Sequence, residues 1–491
     1  MGGGIHGVAV ARDAALRGLY VLLAEAGDLA SGTSSRTSKL VHGGIRYLEN
    51  GQFSLVRESL RERAILLETA PRFVRPIPFL IPHYRGSGRS PFIVEVGIRL
   101  YATLARGGSA AARPLREHHH LTPDEAIARE PGLDPKDLLG ASTYWDAQME
   151  DARLCVAIAT DAARAGADIR TYTRVTKLSN VDGTWRARLR DQIEESVSEA
   201  TARVVVNAAG PWADEVRGMA AEPGPLPPAV RTTRGTHVVV PARGLRQAHL
   251  LSARRDGRVF FAVPWGEHAL LGTTDVDDAT APERIAPPAE DIRYLLEETR
   301  HALPELVEGV RPVRAFAGLR SLLRGKGVVP WANPREHRIL ADGTLITLVG
   351  GKYTTHRSLA ERVTDLVAER LEKRAGPCRT ATTPVAPDRE RSVEELRSTR
   401  RERFTAQPGL SVGEADVAFA VREEKARRLE DVLLRRTRLW LDARAIRAAA
   451  EPVARWMTAE LEWSESRRQE EIRRVVEPLE DEERRIEEAM R

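Results

Sequence analysis

The sequence predicts an α/β fold: a parallel sheet wrapped by helices, joined to a mostly antiparallel domain and to a helical C-terminal unit. Three observations carry this reading. The chain opens on a glycine-rich turn that runs into a helical pattern and then a strand. Segments after residue 228 alternate β-branched and aromatic residues with turns, and apolar residues recur at helical periods in the last hundred residues. At 491 residues the chain is too long for one core, and a prior of about 150 residues per domain allows roughly three compact units.

Composition narrows the class. Hydrophobic residues make up 42% and charged residues 30%, which excludes a mainly disordered, collagen-like or membrane-spanning chain. Lys plus Arg number 75 against 70 Asp plus Glu, a net charge of only +5. The excess cations are arginines in a composition poor in lysine, so nucleic-acid binding is not implied. Cys155 and Cys378 lie far apart and outside any CxxC or Cys/His cluster, so neither a disulfide framework nor a metal site is expected. A reducing, cytoplasmic compartment fits. No apolar run approaches the roughly 20 residues that span a bilayer, and the N-terminus lacks a basic segment followed by an apolar stretch.

Gly2, Gly4 and Gly7 form G-x-G-x-x-G and lead into a helical pattern at 8–16. The first glycine suits a tight turn and the second a close backbone approach to a pyrophosphate. The third suits close helix packing, and the helix N-terminus offers N–H groups to an anion. Gly18 ends the helix and a strand is expected at 19–24. Glu25 follows at its end, where a carboxylate can accept hydrogen bonds from the ribose of an adenosine. With helix, strand and acid in order, the nucleotide reading outweighs that of an ordinary glycine-rich loop.

Residues 31–38 are a run of small hydroxyl side chains that includes Thr33, Ser34 and Ser35. On the residues alone, phosphate or ring donors and a plain polar turn are equal readings. His42, Gly43 and Gly44 form a turn that lets backbone pass close to a planar ring. Arg46 presents a guanidinium that can grip a phosphate or pair with Glu49. A helix with one buried face is expected at 52–70, and an amphipathic helix at 92–106 for a membrane surface or for the core. His118, His119 and His120 lack metal-ligand spacing and read as a solvated turn.

Further on, a helix at 153–165 and a strand at 169–178 extend the nucleotide domain, with Val175 a candidate adenine contact. Val204 to Val206 read as a buried parallel strand, followed by Ala208, Ala209 and Gly210, whose small side chains permit close approach. His237 lies in a strand and Thr274-Asp275 ends another, so an imidazole and a carboxylate can face a common site. A satisfied core histidine is the alternative. GGKYTTHR reads as a strand–glycine–helix turn containing Gly351, Lys352 and Thr354. A small-residue linker around Cys378 precedes the helical C-terminal segment, whose Glu/Arg-rich end after Ser464 reads as a solvated helix.

The block SGTSSRTSKLVHGGIRYLE (31–49) strongly resembles the signature of the FAD-dependent glycerol-3-phosphate dehydrogenase family. Further matches occur at RGTHVVVP (234–241), GTTD (272–275), AGLRSL (317–322) and GGKYTTHR (350–357). The resemblance covers most of the chain. It implies an FAD-binding Rossmann-like domain of the glutathione-reductase/D-amino-acid-oxidase type from 1–45, 143–225 and 326–373. It also implies a substrate-binding cap from 46–142 and 226–325, and a helical domain from 385–491.

The implied cofactor is FAD, contacted by Gly2, Gly4, Gly7, Glu25, Thr33, Ser34, Ser35, Lys39, His42, Gly43, Val175, Ala208, Gly210, Gly351, Lys352 and Thr354. Arg46 and Arg320 would hold the phosphate of glycerol 3-phosphate, and His237 or His42 would accept the C2 hydroxyl proton. Arg320 and Lys352 are counted with the catalytic groups. Ser321 stands where family members commonly have proline, a change in loop stiffness rather than charge. The resemblance further implies a quinone acceptor, with oxygen as the alternative, and peripheral attachment to the inner face of a bacterial membrane; it admits a homodimer. Only Met1 precedes Gly2, so the strand that ordinarily enters such a turn is expected to be absent. The protein is then expected to be poorer in flavin than an N-terminally extended form, with a flavin-free binding protein as the other functional class.

Overall fold

A computed structural model describes all residues of the chain except 49–50, 87–89, 106–114, 116, 221–225 and 325–336. The helix Ile5–Leu16 starts from Gly4, whose extended backbone provides the cap. Its apolar residues, mostly Ala and Val, are buried on two sides, against the helices Asp151–Arg164 and His356–Arg370. Beside it lie two pieces of parallel sheet. Leu22–Ala24 pairs with Asp168–Arg170, and Val205–Asn207 pairs with Leu345–Gly350, which also takes His337–Asp342 antiparallel. The backbone of Met1 and Gly2 joins the two pieces. The Met1 ammonium donates to Val206 O (2.8 Å), Ala208 N donates to Met1 O (2.9 Å), and Gly2 N donates to Ala24 O (2.9 Å).

The second sheet has ten strands and draws on residues 40–323. It is antiparallel apart from the parallel pairing of Ala248–Ser252 with Val74–Tyr84. The two-residue period of its strands sorts their side chains between two cores. Phe79, Val239 and Leu250 face a core shared with the helices Phe53–Thr69, Pro91–Leu104 and Ala443–Leu461. Leu80, Val238, Val240 and Leu251 face a core shared with Ala289–Arg300 and with Ile486 and Ala489 of the last helix.

Three expectations need correction. The strand expected at 169–178 is broken after Arg170. Tyr172 takes a left-handed conformation (φ 54°), its N–H donates to Gly27 O (2.7 Å) and its hydroxyl donates to Asp431 (2.6 Å). The chain then restarts as Thr173–Val181 in a separate three-stranded antiparallel sheet. His119 and His120 are not in a turn: His119–Leu121 is a short strand paired with Ala141 to Thr143, its histidines exposed. The Glu/Arg-rich helix Glu465–Met490 is not merely solvated. Glu471, Val475, Leu479, Glu482 and Ile486 are buried, with Glu482 accepting from Arg314 Nε (2.8 Å) and from Ala315 N (2.7 Å). The C-terminal unit also contains a hairpin, Arg403–Gln407 with Leu410–Gly413, turned at Pro408-Gly409.

Buried ion pairs fasten the C-terminal unit to the nucleotide side. Arg436 grips Asp28 with two hydrogen bonds (2.6 and 2.8 Å), and Arg435 donates to both Asp28 and Asp431. Arg153 holds Glu424 in the same forked way (2.8 and 2.6 Å). Burial alone would raise the Asp28 carboxyl, but the Arg436 and Arg435 guanidinium groups outweigh it and hold it below the ordinary value. Glu424 is held far below by Arg153 and Arg389 against the same opposing burial. Carboxyls depressed in the folded state contribute stability that is complete above their unfolded value near pH 4 and is lost as pH falls below it. Denaturant unfolding followed from pH 7 to pH 3 is therefore expected to weaken steeply below about pH 4. Asp28→Ala removes the carboxylate shared by two buried guanidinium groups and should cost about 3–5 kcal/mol at neutral pH; a loss under 1 kcal/mol would contradict the fastening role.

Candidate active site

A cavity of about 810 Å³ runs from the glycine-rich turn to the ten-stranded sheet. At its first end the helix N-terminus is built for an anion. Gly4 brings no capping side chain, and Ile5 N donates to Ser34 Oγ (2.9 Å), which places a hydroxyl at the helix mouth. Gly7 is required by packing: a Cβ there would sit 1.8 Å from Gly2 O. Glu25 accepts from Gly27 N (2.8 Å) and from Gly3 N, which orients the carboxylate at the cavity wall. Burial raises its pKa despite those two amides. Val175, Ala208 and Gly210 line the same end, and Trp212 and Met219 add apolar surface. This is a shape for an adenosine and a pyrophosphate.

Thr33 and Ser34 continue the wall, with Thr33 Oγ1 donating to Leu319 O (2.5 Å). Gly7, Ser35, Lys39 and Gly43 do not line the cavity; they brace it. Lys39 Nζ donates to Asp151 (2.6 Å) and to Ser35 O (3.0 Å) and lies 4.1 Å over the Trp440 ring. Gly43 N donates to the Tyr101 hydroxyl (2.7 Å), which donates to Asp146 (2.8 Å), itself held by Arg63 (2.5 Å). A Cβ on Gly43 would come within 2.4 Å of that hydroxyl, so only glycine fits. These charges are paired inside the protein and hold the segment in place from behind.

The same cavity is lined by His42, Arg46, His237, Arg320, Gly351, Lys352 and Thr354. Arg320 is pinned: it donates to Asp275 (3.0 Å), Thr273 Oγ1 (2.8 Å) and Thr274 O (3.1 Å), and its side chain is 18% exposed. The His237 ring stacks on Phe316 (centroids 5.1 Å, 18°) and meets Ser38 Oγ at 3.0 Å. Burial, reinforced by the Arg320 and Lys39 charges, pushes its pKa well below the ordinary imidazole value and keeps it neutral. The Lys352 ammonium lies 3.6 Å over the Tyr47 ring, and Thr354 Oγ1 donates to His42 O (3.3 Å).

Tyr47, Phe79, Tyr144 and Phe261 also line the cavity and were not singled out from sequence, while Ser38 was included only as the end of the hydroxyl run at 31–38. Phe79, Tyr144 and Phe261 carry only the alternation of buried strands, which does not tell a core position from a cavity wall, and Tyr47 lies in a short helical turn with no such period. His6, inside the glycine motif, packs against Gly351, and burial pushes its imidazole down to about 4.

Residues 1–366 match the family model described as FAD dependent oxidoreductase, and residues 346–468 match the C-terminal domain of alpha-glycerophosphate oxidase. Glycerol-3-phosphate dehydrogenase 2 of Mycobacterium bovis is 34% identical over 507 residues, covering 94% of this chain and 85% of that one. The chain belongs to the FAD-dependent glycerol-3-phosphate dehydrogenase family. A second relative, the glycerol-3-phosphate dehydrogenase of Mycobacterium leprae, is 39% identical over 380 residues; the match takes in 77% of this chain and 64% of that protein's length. Among solved structures, the Bacillus halodurans glycerol-3-phosphate dehydrogenase complexed with FAD superposes with a TM-score of 0.74. It shares 27% identity over 99% of this chain and 93% of that one.

FAD is the cofactor of this family, and the residues present fit it. The helix mouth suits its pyrophosphate, Glu25 its ribose, and the glycine turn at 350–351 its ring. Gly7→Ala is expected to displace the turn and weaken FAD retention by about tenfold or more, roughly 1.4 kcal/mol. Flavin absorbance per protein and a titration of the stripped protein measure it; unchanged affinity would count against the role of the close packing.

Proposed function

We propose that this chain oxidises sn-glycerol 3-phosphate to dihydroxyacetone phosphate and passes the electrons to a quinone. The carrying observation is that Arg46, Arg320 and His237 line one cavity with the residues that fit FAD. The relatives named above, both glycerol-3-phosphate dehydrogenases, support the substrate. When bound, FAD supplies the two-electron chemistry, taking the C2 hydrogen with its electron pair.

The rest falls to this chain's side chains. Arg46 and Arg320 grip the phosphate, with Arg320 held in place beforehand by Asp275 and Thr273 so that little side-chain freedom is lost on binding. His237, neutral at physiological pH, accepts the C2 hydroxyl proton, with His42 the alternative base. Lys352 places positive charge on the turn that would hold the ring.

A quinone is lipid-soluble, and one surface supports the peripheral membrane contact this requires. On the helix Pro91–Leu104, Phe92 (75% exposed), Ile93 (63%), Val96 (48%) and Leu100 (37%) form one apolar stripe, while Ile98 and Tyr101 face inward. No helix among the described residues is long and apolar enough to cross a membrane.

The reading is tested by adding glycerol 3-phosphate anaerobically to the FAD-loaded protein and following the oxidised flavin band. Bleaching is expected, then faster re-oxidation by a quinone than by air; a band that persists overturns the assignment. Arg46→Ala should raise KM for the phosphorylated substrate roughly 10- to 100-fold, the loss of one charge-assisted contact of about 1.5–3 kcal/mol, and leave turnover of glycerol nearly unchanged. Equal effects on both substrates would remove Arg46 from the phosphate site.

A further inference from the structure

We propose that Ser38 is the proton relay between the substrate and His237, an inference that rests on the functional reading above. The imidazole is immobilised. One face stacks on Phe316, and a Cβ on Gly272 would come 2.4 Å from the His237 Cδ2, so the ring is held between an aromatic plane and backbone. His237 is 2% exposed. Its Nδ1 is buried with no hydrogen-bond partner among the described residues, and its Nε2 meets Ser38 Oγ at 3.0 Å.

Ser38 and His237 both line the cavity; Ser38 is the more exposed of the two, and its hydroxyl occupies the one imidazole nitrogen that makes a hydrogen bond. With Nδ1 buried and Nε2 already engaged by the Ser38 hydroxyl, the route for a proton from a ligand in the cavity runs through that oxygen.

The step is a double proton transfer. The carbinol O–H of the substrate breaks and an O–H forms on Ser38 Oγ. The original Ser38 O–H breaks and an N–H forms on Nε2, so the serine ends unchanged and the imidazole ends as a cation. The two electrons and the C2 hydrogen are removed by the flavin, the oxidant of the proposed reaction. The relay requires the resting imidazole to carry its proton on Nδ1 with Nε2 accepting from Ser38. Arg320, pinned nearby on Thr273 and Asp275, orients the substrate without supplying a proton acceptor.

The FAD-loaded protein tests this in two ways. Nitrogen NMR of 15N-histidine-labelled wild type, with His237 assigned from a His237→Gln variant, is expected to show Nδ1 protonated in the resting state. Protonation on Nε2 overturns the relay. Anaerobic stopped-flow reduction by glycerol 3-phosphate is expected to slow about 100-fold or more in Ser38→Ala, with flavin content and the dissociation constant for the substrate little changed. Ser38→Thr, which keeps the hydroxyl, should recover most of the rate. In mixtures of H2O and D2O the wild-type rate should fall along a curved proton inventory, two protons moving together, and Ser38→Ala along a straight one.

A Ser38→Ala rate within threefold of wild type, or a straight wild-type inventory, overturns the relay while leaving the dehydrogenase reading intact. Wild-type flavin that never bleaches overturns that reading, and the relay with it.

Discussion

The cavity depends on a chain segment, residues 31–47, that is nailed down from behind by buried charge. Lys39 is anchored to Asp151 beneath the Trp440 ring, and Gly43 is tied through Tyr101 to Asp146 and Arg63. Each of these groups is buried, so each is costly to leave without its partner, and the segment has one low-energy position. That position puts Thr33, Ser34, Ser38, His42 and Arg46 along a single wall. The cavity face of the segment can then carry hydroxyl and cationic groups, because much of the stability comes from its hidden face.

The same division holds between the sheets. Opposite faces of the ten-stranded sheet are claimed by different helices, and alternate residues such as Val238 and Val239 belong to different cores. His237 and Arg320 sit on neighbouring strands of that sheet, in Val230–Pro241 and Arg314–Leu323, whose antiparallel register fixes their separation. Side chains on paired strands move little relative to each other, and that rigidity suits groups that must meet a ligand at fixed distances. The C-terminal unit closes the arrangement from outside. Its buried arginines bind Asp28, three residues beyond Glu25, and Tyr172 meets Asp431, so the unit braces the nucleotide end of the cavity.

Legibility in the sequence followed the range of the interaction. The helix after the glycine motif and the helix at 53–69 depend on local period and were readable within a few residues of their observed ends, while the strand Val230–Pro241 that holds His237 was legible as a strand but not in its full length. The broken strand at Tyr172 was not, because its bend is held by Gly27 and Asp431, the latter more than 250 residues away. The polar helix at 465–490 misled for a related reason: Glu482 looks like a surface residue until Arg314 and the Ala315 amide are found opposite it. Lys39 and Gly43 were legible as special positions within a signature block, while their task, bracing rather than touching the cavity, was not.

The sequence by itself determined the glycine turn, the acid after the first strand, the signature blocks and hence the family, since each is a pattern of neighbours whose chemistry needs no distant partner. Tertiary structure alone decided that Ser38 stands at Nε2 of His237, and it supplies the physical means by which Arg46 and Arg320, 274 positions apart and paired beforehand only by the resemblance, line one cavity. Such encounters are set by sheet register and by the balance of desolvation against pairing among buried charges, quantities that belong to no local stretch of chain.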